Sequence, residues 1–109
     1  MLGRWQPWHE GHHKLFIEIF RKTGQVNIMV RDVKGVRDNP FNFEEVKKKI
    51  ELALKDYKDR IKISLVPNIT NICYGRGVGY KIEEIILDEE TQKISATKIR
   101  EEMRKKGEL

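Results

Sequence analysis

The sequence predicts a single α/β domain built on a parallel sheet. Three observations point there. Segments with apolar residues at helical spacing alternate with short runs rich in β-branched residues. The run Val26-Asn27-Ile28-Met29-Val30 is nearly continuously apolar, as expected of a buried parallel strand. The chain has 109 residues, the length of one small domain, and its 39% apolar content suffices for a modest core.

The elements follow in order. The chain opens on a Gly-Arg-Trp-Gln-Pro loop with only Met1 and Leu2 before Gly3. An abbreviated first strand is expected, with residues 1–3 entering the sheet as a stub and packing or a partner covering the gap. Leu15, Phe16, Ile19 and Phe20 then mark a helix from near Gly11 to before Gly24. Arg21 and Lys22 fall in its last turn, where cations suit the helix dipole. Val26 to Val30 is the next strand. Residues 31–42 read as a loop punctuated by Gly35 and Asn39-Pro40.

Asn42 and Glu45 have the spacing of a capping box, with Phe41 and Val46 at the staple positions. The helix they open carries the stripe Phe43, Val46, Ile50, Ala53, Leu54 and Tyr57. Glu44 with Lys48, Glu45 with Lys49, and Glu51 with Lys55 support it as i,i+4 pairs. Lys47-Lys48-Lys49 is then a solvated face, not a nucleic-acid patch. Ile61 to Val66 is a strand ended by Pro67. Residues 67–80 form a long glycine-bearing loop. Ile82 to Leu87 reads as a further strand, and Thr97 to Lys106 as a final helix stopped by Gly107.

Composition excludes several classes. Lys and Arg number 22 and Asp and Glu 17, a net charge of +5. That mild surplus fits a phosphate-bearing partner and equally a basic protein with none. The single Cys73 excludes a disulfide framework and a cysteine-only zinc site, and fits a reducing compartment. No apolar run reaches membrane-spanning length, and Met1-Leu2-Gly3-Arg4-Trp5 resembles neither a signal nor a transit peptide. A cytoplasmic protein without membrane or nucleic-acid partners is expected.

Two segments carry chemistry. In Gly3-Arg4-Trp5-Gln6-Pro7-Trp8-His9-Glu10-Gly11-His12-His13, His9 and His12 flank a glycine where a loop feeds a helix. A helix N-terminus offers unpaired N–H groups and a positive dipole end, which favour phosphate. In Ile94-Ser95-Ala96-Thr97-Lys98-Ile99-Arg100, hydroxyls and cations gather at another helix start. Basic residues there oppose the dipole, and a bound polyanion relieves that conflict.

Together these segments resemble the nucleotidyltransferase superfamily of the cytidylyltransferase and adenylyltransferase type. The first is similar to its Gly-Arg-Phe-Gln-Pro-(Phe)-His-x-Gly-His signature and the second to its Ile-Ser-Ser-Thr-x-x-Arg signature, in the same order and at the same separation. The resemblance implies a Rossmann-like three-layer sandwich with a parallel sheet, whose first strand is central in the family and abbreviated here. It implies transfer of a nucleotidyl group from a nucleoside triphosphate to a phosphorylated small molecule, with Mg²⁺ and release of pyrophosphate. It makes His9 and His12 catalytic, with Lys98 a third candidate. It places Gly3, Arg4, Trp5, Gly11, Ser95, Thr97 and Arg100 against the nucleotide. Lys14, Arg31, Asn68 and Arg76 are weaker substrate-binding candidates. Val66-Pro67-Asn68-Ile69-Thr70-Asn71 and Gly75-Arg76-Gly77-Val78-Gly79-Tyr80 resemble a cytidylyltransferase-like group, so CMP transfer from CTP is what the resemblance favours; nothing in composition or spacing distinguishes CTP from ATP. Transfer of AMP from ATP to nicotinamide mononucleotide or phosphopantetheine is the alternative, and a non-catalytic nucleotide-binding module is a second. A homodimer is the family expectation.

One rival pattern is present. His9-Glu10-Gly11-His12-His13 spells the H-E-x-x-H motif of zinc proteases. It requires helix through residue 9, which Pro7 and Gly11 oppose, and no third ligand follows, so no metal ligand is expected. Trp5 and Trp8 are expected to pack around the loop, with stacking on a base the alternative for either.

Overall fold

The computed structural model describes residues 1–33, 38–77 and 79–109. The Gly35 punctuation of the 31–42 loop and Val78 of the glycine-bearing loop lie outside the described residues. Strand β1 is Leu2–Gly3, followed by α1 at Glu10–Thr23 and β2 at Val26–Arg31. Helix α2, Phe43–Ala53, runs into a 3₁₀ segment at Lys55–Arg60 and then β3 at Ile61–Val66. Two helices close the chain, α3 at Glu89–Gln92 and α4 at Ala96–Lys105.

The fold is α/β with an open, all-parallel sheet in the order β1-β2-β3. Leu2 and Gly3 pair with Met29 and Val30, so the expected stub does enter the sheet. Val26 to Arg31 pair with Ile61 to Val66 without a break. Each connection between neighbouring strands carries a helix, as parallel pairing requires.

Side chains on a strand alternate faces, and β2 alternates accordingly. Val26, Ile28 and Val30 are buried, while Asn27 is exposed and Met29 and Arg31 are half-buried. The buried three pack with Phe16 of α1 and with Val46, Ile50 and Leu54 from α2 and its C-cap. Phe16, Ile28, Ile50 and Leu54 are wholly buried. On the other face Ser64 donates to the Asn27 side chain at 3.0 Å. The continuous apolarity of β2 thus identified a parallel strand correctly, although only one of its faces is fully enclosed.

The start of α2 and the end of α1 are capped as their sequences demand. Asn42 accepts from the Glu45 N–H at 2.9 Å, and Glu45 accepts from the Asn42 N–H at 3.2 Å. Gly24 ends α1 with φ 71°, a left-handed C-cap conformation in which a side chain is strained. The apolar stripe of α2 reaches Tyr57, but the helix does not. At Leu54 the chain tightens to i,i+3 bonding, with the Tyr57 N–H on the Leu54 carbonyl at 2.8 Å. Tyr57 still meets Phe16 and Phe20 edge-on, at centroid distances of 5.2 and 5.1 Å.

The strand expected at residues 82–87 is not formed. The segment has no sheet partner, and Ile82 and Ile86 are exposed. The sheet edge beyond β2, strand β1, is itself only two residues long. A salt bridge from Lys22 to Glu83 at 2.8 Å instead holds the segment beside α1. Consequently β1 lies at an edge of the sheet among the described residues, not at its centre as the resemblance implied.

Candidate functional site

The loop between β1 and α1 is tied down at nearly every residue. Gly3 lies under the Trp5 ring: a Cβ there would stand 2.7 Å from a ring carbon. Trp5 has φ 55°, a region that a bulky L-residue rarely adopts. Its indole N–H donates to the Met29 carbonyl at 3.2 Å, which pays for the strain. Gln6, only 4% exposed, bridges to Phe41 in both directions: its amide donates to the Phe41 carbonyl and accepts the Phe41 N–H, each at 2.9 Å. Trp8 is equally buried beside Trp5, with centroids 5.2 Å apart. Its indole Nε1 is buried with no hydrogen-bond partner among the described residues.

That rigid loop delivers His9 as the N-cap of α1. Its Nδ1 accepts from the backbone N–H of Gly11 at 3.0 Å and of His12 at 3.4 Å. His12 reciprocates, its Nδ1 accepting the His9 N–H at 3.1 Å. The result is a capping box in which both members are histidine. The rings stack at 3.6 Å and 19°, with Trp5 edge-on to His12 at 4.7 Å. A ring nitrogen that accepts a hydrogen bond carries no proton, so both rings are neutral and carry the proton on Nε2. The start of α1 therefore offers two imidazole N–H donors.

Electrostatics agree with this assignment. Burial, reinforced by neighbouring His9, pushes the His12 imidazole down to about 3, and burial lowers His9 as well. Because the fold favours the neutral rings, their contribution to stability is complete above about pH 6.5, where the unfolded imidazoles lose their protons. It is lost as pH falls from there towards 3. Each proton taken up on unfolding's account steepens the pH dependence by at most about 1.4 kcal/mol per pH unit. Denaturant titrations between pH 7 and 4 should accordingly show a shallower pH slope for His12→Gln than for the parent chain; equal slopes would contradict the assignment.

The second motif is joined to the first through Arg100. Ser95 caps α4, its Oγ accepting the Lys98 N–H at 3.4 Å. Arg100 is 3% exposed, and its Nη1 donates to the Gln6 carbonyl at 2.6 Å. Its Nη2 donates to the Thr97 hydroxyl at 3.3 Å and stands 3.6 Å from an Asp38 carboxylate oxygen. Arg4 reaches the Asn39 side chain at 3.4 Å. Ends of the chain 94 residues apart thus meet at one loop.

The other candidates divide. Lys14 donates to the Thr91 hydroxyl at 3.3 Å, and the Thr91 carbonyl lies near Gly11, so α3 abuts the start of α1. Lys98 is exposed on the first turn of α4. Arg31 and Asn68 form a separate pair beyond the carboxyl ends of β2 and β3, with Nε and Nη2 on Asn68 Oδ1 at 3.1 and 2.7 Å. Arg76 lies on the exposed loop, where its carbonyl accepts the Tyr80 hydroxyl at 3.0 Å. The Trp5 ring is packed, not presented, so base stacking by it is not available in this conformation.

The zinc-protease pattern fails on geometry. Helix α1 begins at Glu10, so His9 is a cap and shares no helical face with His13. Among the described residues no group of three His, Cys, Asp or Glu is placed to hold a metal ion.

No sequence pattern marks Gln6, Asp38 or Asn39 for the site: Gln6 sits in the first motif as a loop residue, and Asn39 beside Pro40 is a turn signal. Thr91 had a usable signal, since Asp88 stands three residues before it and caps α3 through the Thr91 N–H at 2.7 Å. Compared with protein-family models, curated proteins and solved structures, the chain matches none.

Proposed function

We propose that this protein is a nucleotidyltransferase that moves a nucleotidyl group, CMP by preference, from a nucleoside triphosphate to a phosphorylated small molecule. The observation that carries the reading is the double-histidine capping box at the start of α1. It leaves two Nε2–H donors beside a helix N-terminus, where a phosphate is stabilised by donors and dipole together. The linkage of Arg100 and Thr97 to the same loop supports it, because it brings cationic and hydroxyl groups of α4 to that end of α1.

In the proposed reaction an acceptor phosphate oxygen attacks the α-phosphorus. The new P–O bond forms as the bond from the α-phosphorus to the bridging oxygen breaks, and pyrophosphate leaves. No covalent enzyme intermediate is needed. His9 and His12 stabilise charge on the α-phosphate, Arg100, Thr97 and Ser95 grip the β- and γ-phosphates, and Lys98 and Lys14 add positive charge. Positioning and preorganised donors supply the acceleration. Mg²⁺ suits this site as a passenger of the triphosphate, since it keeps most of its waters and takes phosphate oxygens as ligands. When bound, it neutralises phosphate charge. The reading carries with it a Rossmann-like three-layer domain, a homodimer and a cytoplasmic location.

Calorimetric titration with CTP, ATP, GTP and UTP in the presence of Mg²⁺ tests the nucleotide. Pyrophosphate release across a panel of phosphorylated acceptors then tests the chemistry. CTP binding with turnover is the expected result, and ATP in its place identifies the adenylyl alternative. Binding without turnover on any acceptor marks a nucleotide-binding module, and no binding at all sinks the proposal.

Gly11 supplies a sharper check. A Cβ there would stand 2.8 Å from His9 Cε1 and 3.1 Å from its Nδ1, so the His9 ring must turn out of its cap. In Gly11→Ala the lost cap costs about 1 kcal/mol, and alanine's better helix propensity returns up to about the same. Stability should change by less than about 1 kcal/mol, whereas triphosphate affinity should fall about tenfold, as expected for loss of one bond to a charged group. Calorimetry paired with thermal unfolding separates the two.

A further inference from the structure

Arg4 and Arg100 come from opposite ends of the chain, yet adjacent residues meet them. Arg4 Nη1 donates to Asn39 Oδ1 at 3.4 Å, and Arg100 Nη2 faces Asp38 Oδ1 at 3.6 Å. The Arg100 side chain is 4% exposed and that of Asp38 is 66% exposed. The carboxylate is therefore the solvent-side neighbour of a buried guanidinium.

We infer that Asp38, with Asn39 beside it, occupies the two nucleotide-site arginines, Arg100 and Arg4, in the ligand-free protein and gives way to an incoming polyphosphate. The inference rests on the nucleotidyltransferase reading. Three features support it. The Nη1 bond to the Gln6 carbonyl at 2.6 Å holds the guanidinium in place whichever anion sits on Nη2. The carboxylate is beyond hydrogen-bonding distance, so it neutralises Arg100 without holding it tightly. A phosphate oxygen offers more charge and forms charge-assisted bonds with guanidinium groups. Asn39 is itself buried, and its contact with the exposed Arg4 is neutral and long at 3.4 Å, weaker than the charge-assisted bond a phosphate offers that guanidinium. Asp38 thereby sets the affinity of the site: its charge compensates the buried arginine when the site is empty and competes with the ligand when it is full.

The test is calorimetric titration of the intact chain with inorganic tripolyphosphate and with the nucleoside triphosphates, at fixed Mg²⁺ and ionic strength. The parent chain, Asp38→Asn and Glu10→Gln are compared. Glu10→Gln removes the same unit of charge from the first turn of α1, where among the described residues no ion pair joins the carboxylate to either arginine. Asp38→Asn should bind about three- to fivefold tighter, the range expected from releasing a partly exposed ion pair. Glu10→Gln should show less than half that gain. Unchanged or weaker binding by Asp38→Asn, or equal gains in both variants, overturns the inference while the nucleotidyltransferase reading stands. Binding seen only after Asp38→Asn supports it in its strongest form. Absence of binding in all three chains overturns the inference and the reading beneath it together.

Discussion

Replacing His12 with alanine is expected to lower the rate of pyrophosphate release by about 10²- to 10³-fold, the usual effect of removing one preorganised donor from a developing charge. Stability falls as well, because the ring is part of the local fold. His12 accepts the His9 N–H at 3.1 Å, stacks on His9 at 3.6 Å and packs against the Trp5 ring at 4.7 Å. Losing the cap and the ring contacts costs about 1–2 kcal/mol. His12→Gln separates the two roles. Glutamine suits the third position of a capping box and keeps an acceptor for the His9 N–H. It should recover most of the stability and little of the rate. A His12→Ala protein with parental turnover would rule out the proposed role of the histidine pair.

The second large effect is expected at Arg100. In Arg100→Met the volume is roughly conserved, but the Gln6 carbonyl loses its 2.6 Å charged donor. Leaving that acceptor without its partner costs about 1–3 kcal/mol. The loss spreads, because Gln6 also holds Phe41 through two bonds at 2.9 Å. The loop and α4 should loosen together, and triphosphate affinity should fall at least about tenfold. Arg100→Lys is not a conservative replacement, since an ammonium lacks the planar fork that reaches Gln6, Thr97 and Asp38 at once. Urea unfolding of both variants, read beside tripolyphosphate titrations, checks this. Unaltered stability in Arg100→Met would show that the 2.6 Å contact contributes nothing to holding the ends of the chain together.

Local signals predicted local structure well. Asn42 and Glu45 announced the start of α2, and Gly24 the end of α1, because caps depend on residues within one turn of each other. The start of α1 was visible in the opposition of Pro7 and Gly11 to helix before residue 10. What could not be read was the nature of the cap. Histidine is not among the preferred N-caps, and its role depends on the ring of His12 closing the box from above. The strand expected at 82–87 failed for a related reason. Its apolar content is real, but a strand needs a neighbouring ladder, and β1 presents two residues.

The sequence by itself determined the α/β class, the parallel β2 and β3, the capped helices, and the two motifs that name the candidate residues. All of these rest on interactions between residues close in the chain or on the periodicity of one element. Only the tertiary structure decided that the histidines are neutral, that Arg100 is buried under the Gln6 carbonyl, and that Asp38 and Asn39 attend the two arginines. The Arg100 and Asp38–Asn39 contacts join residues more than thirty positions apart, and the neutral histidine pair, though bonded within one helical turn, depends on its burial. No local pattern encodes them, because the energy of a buried charge or a shared donor is set by what the fold brings beside it.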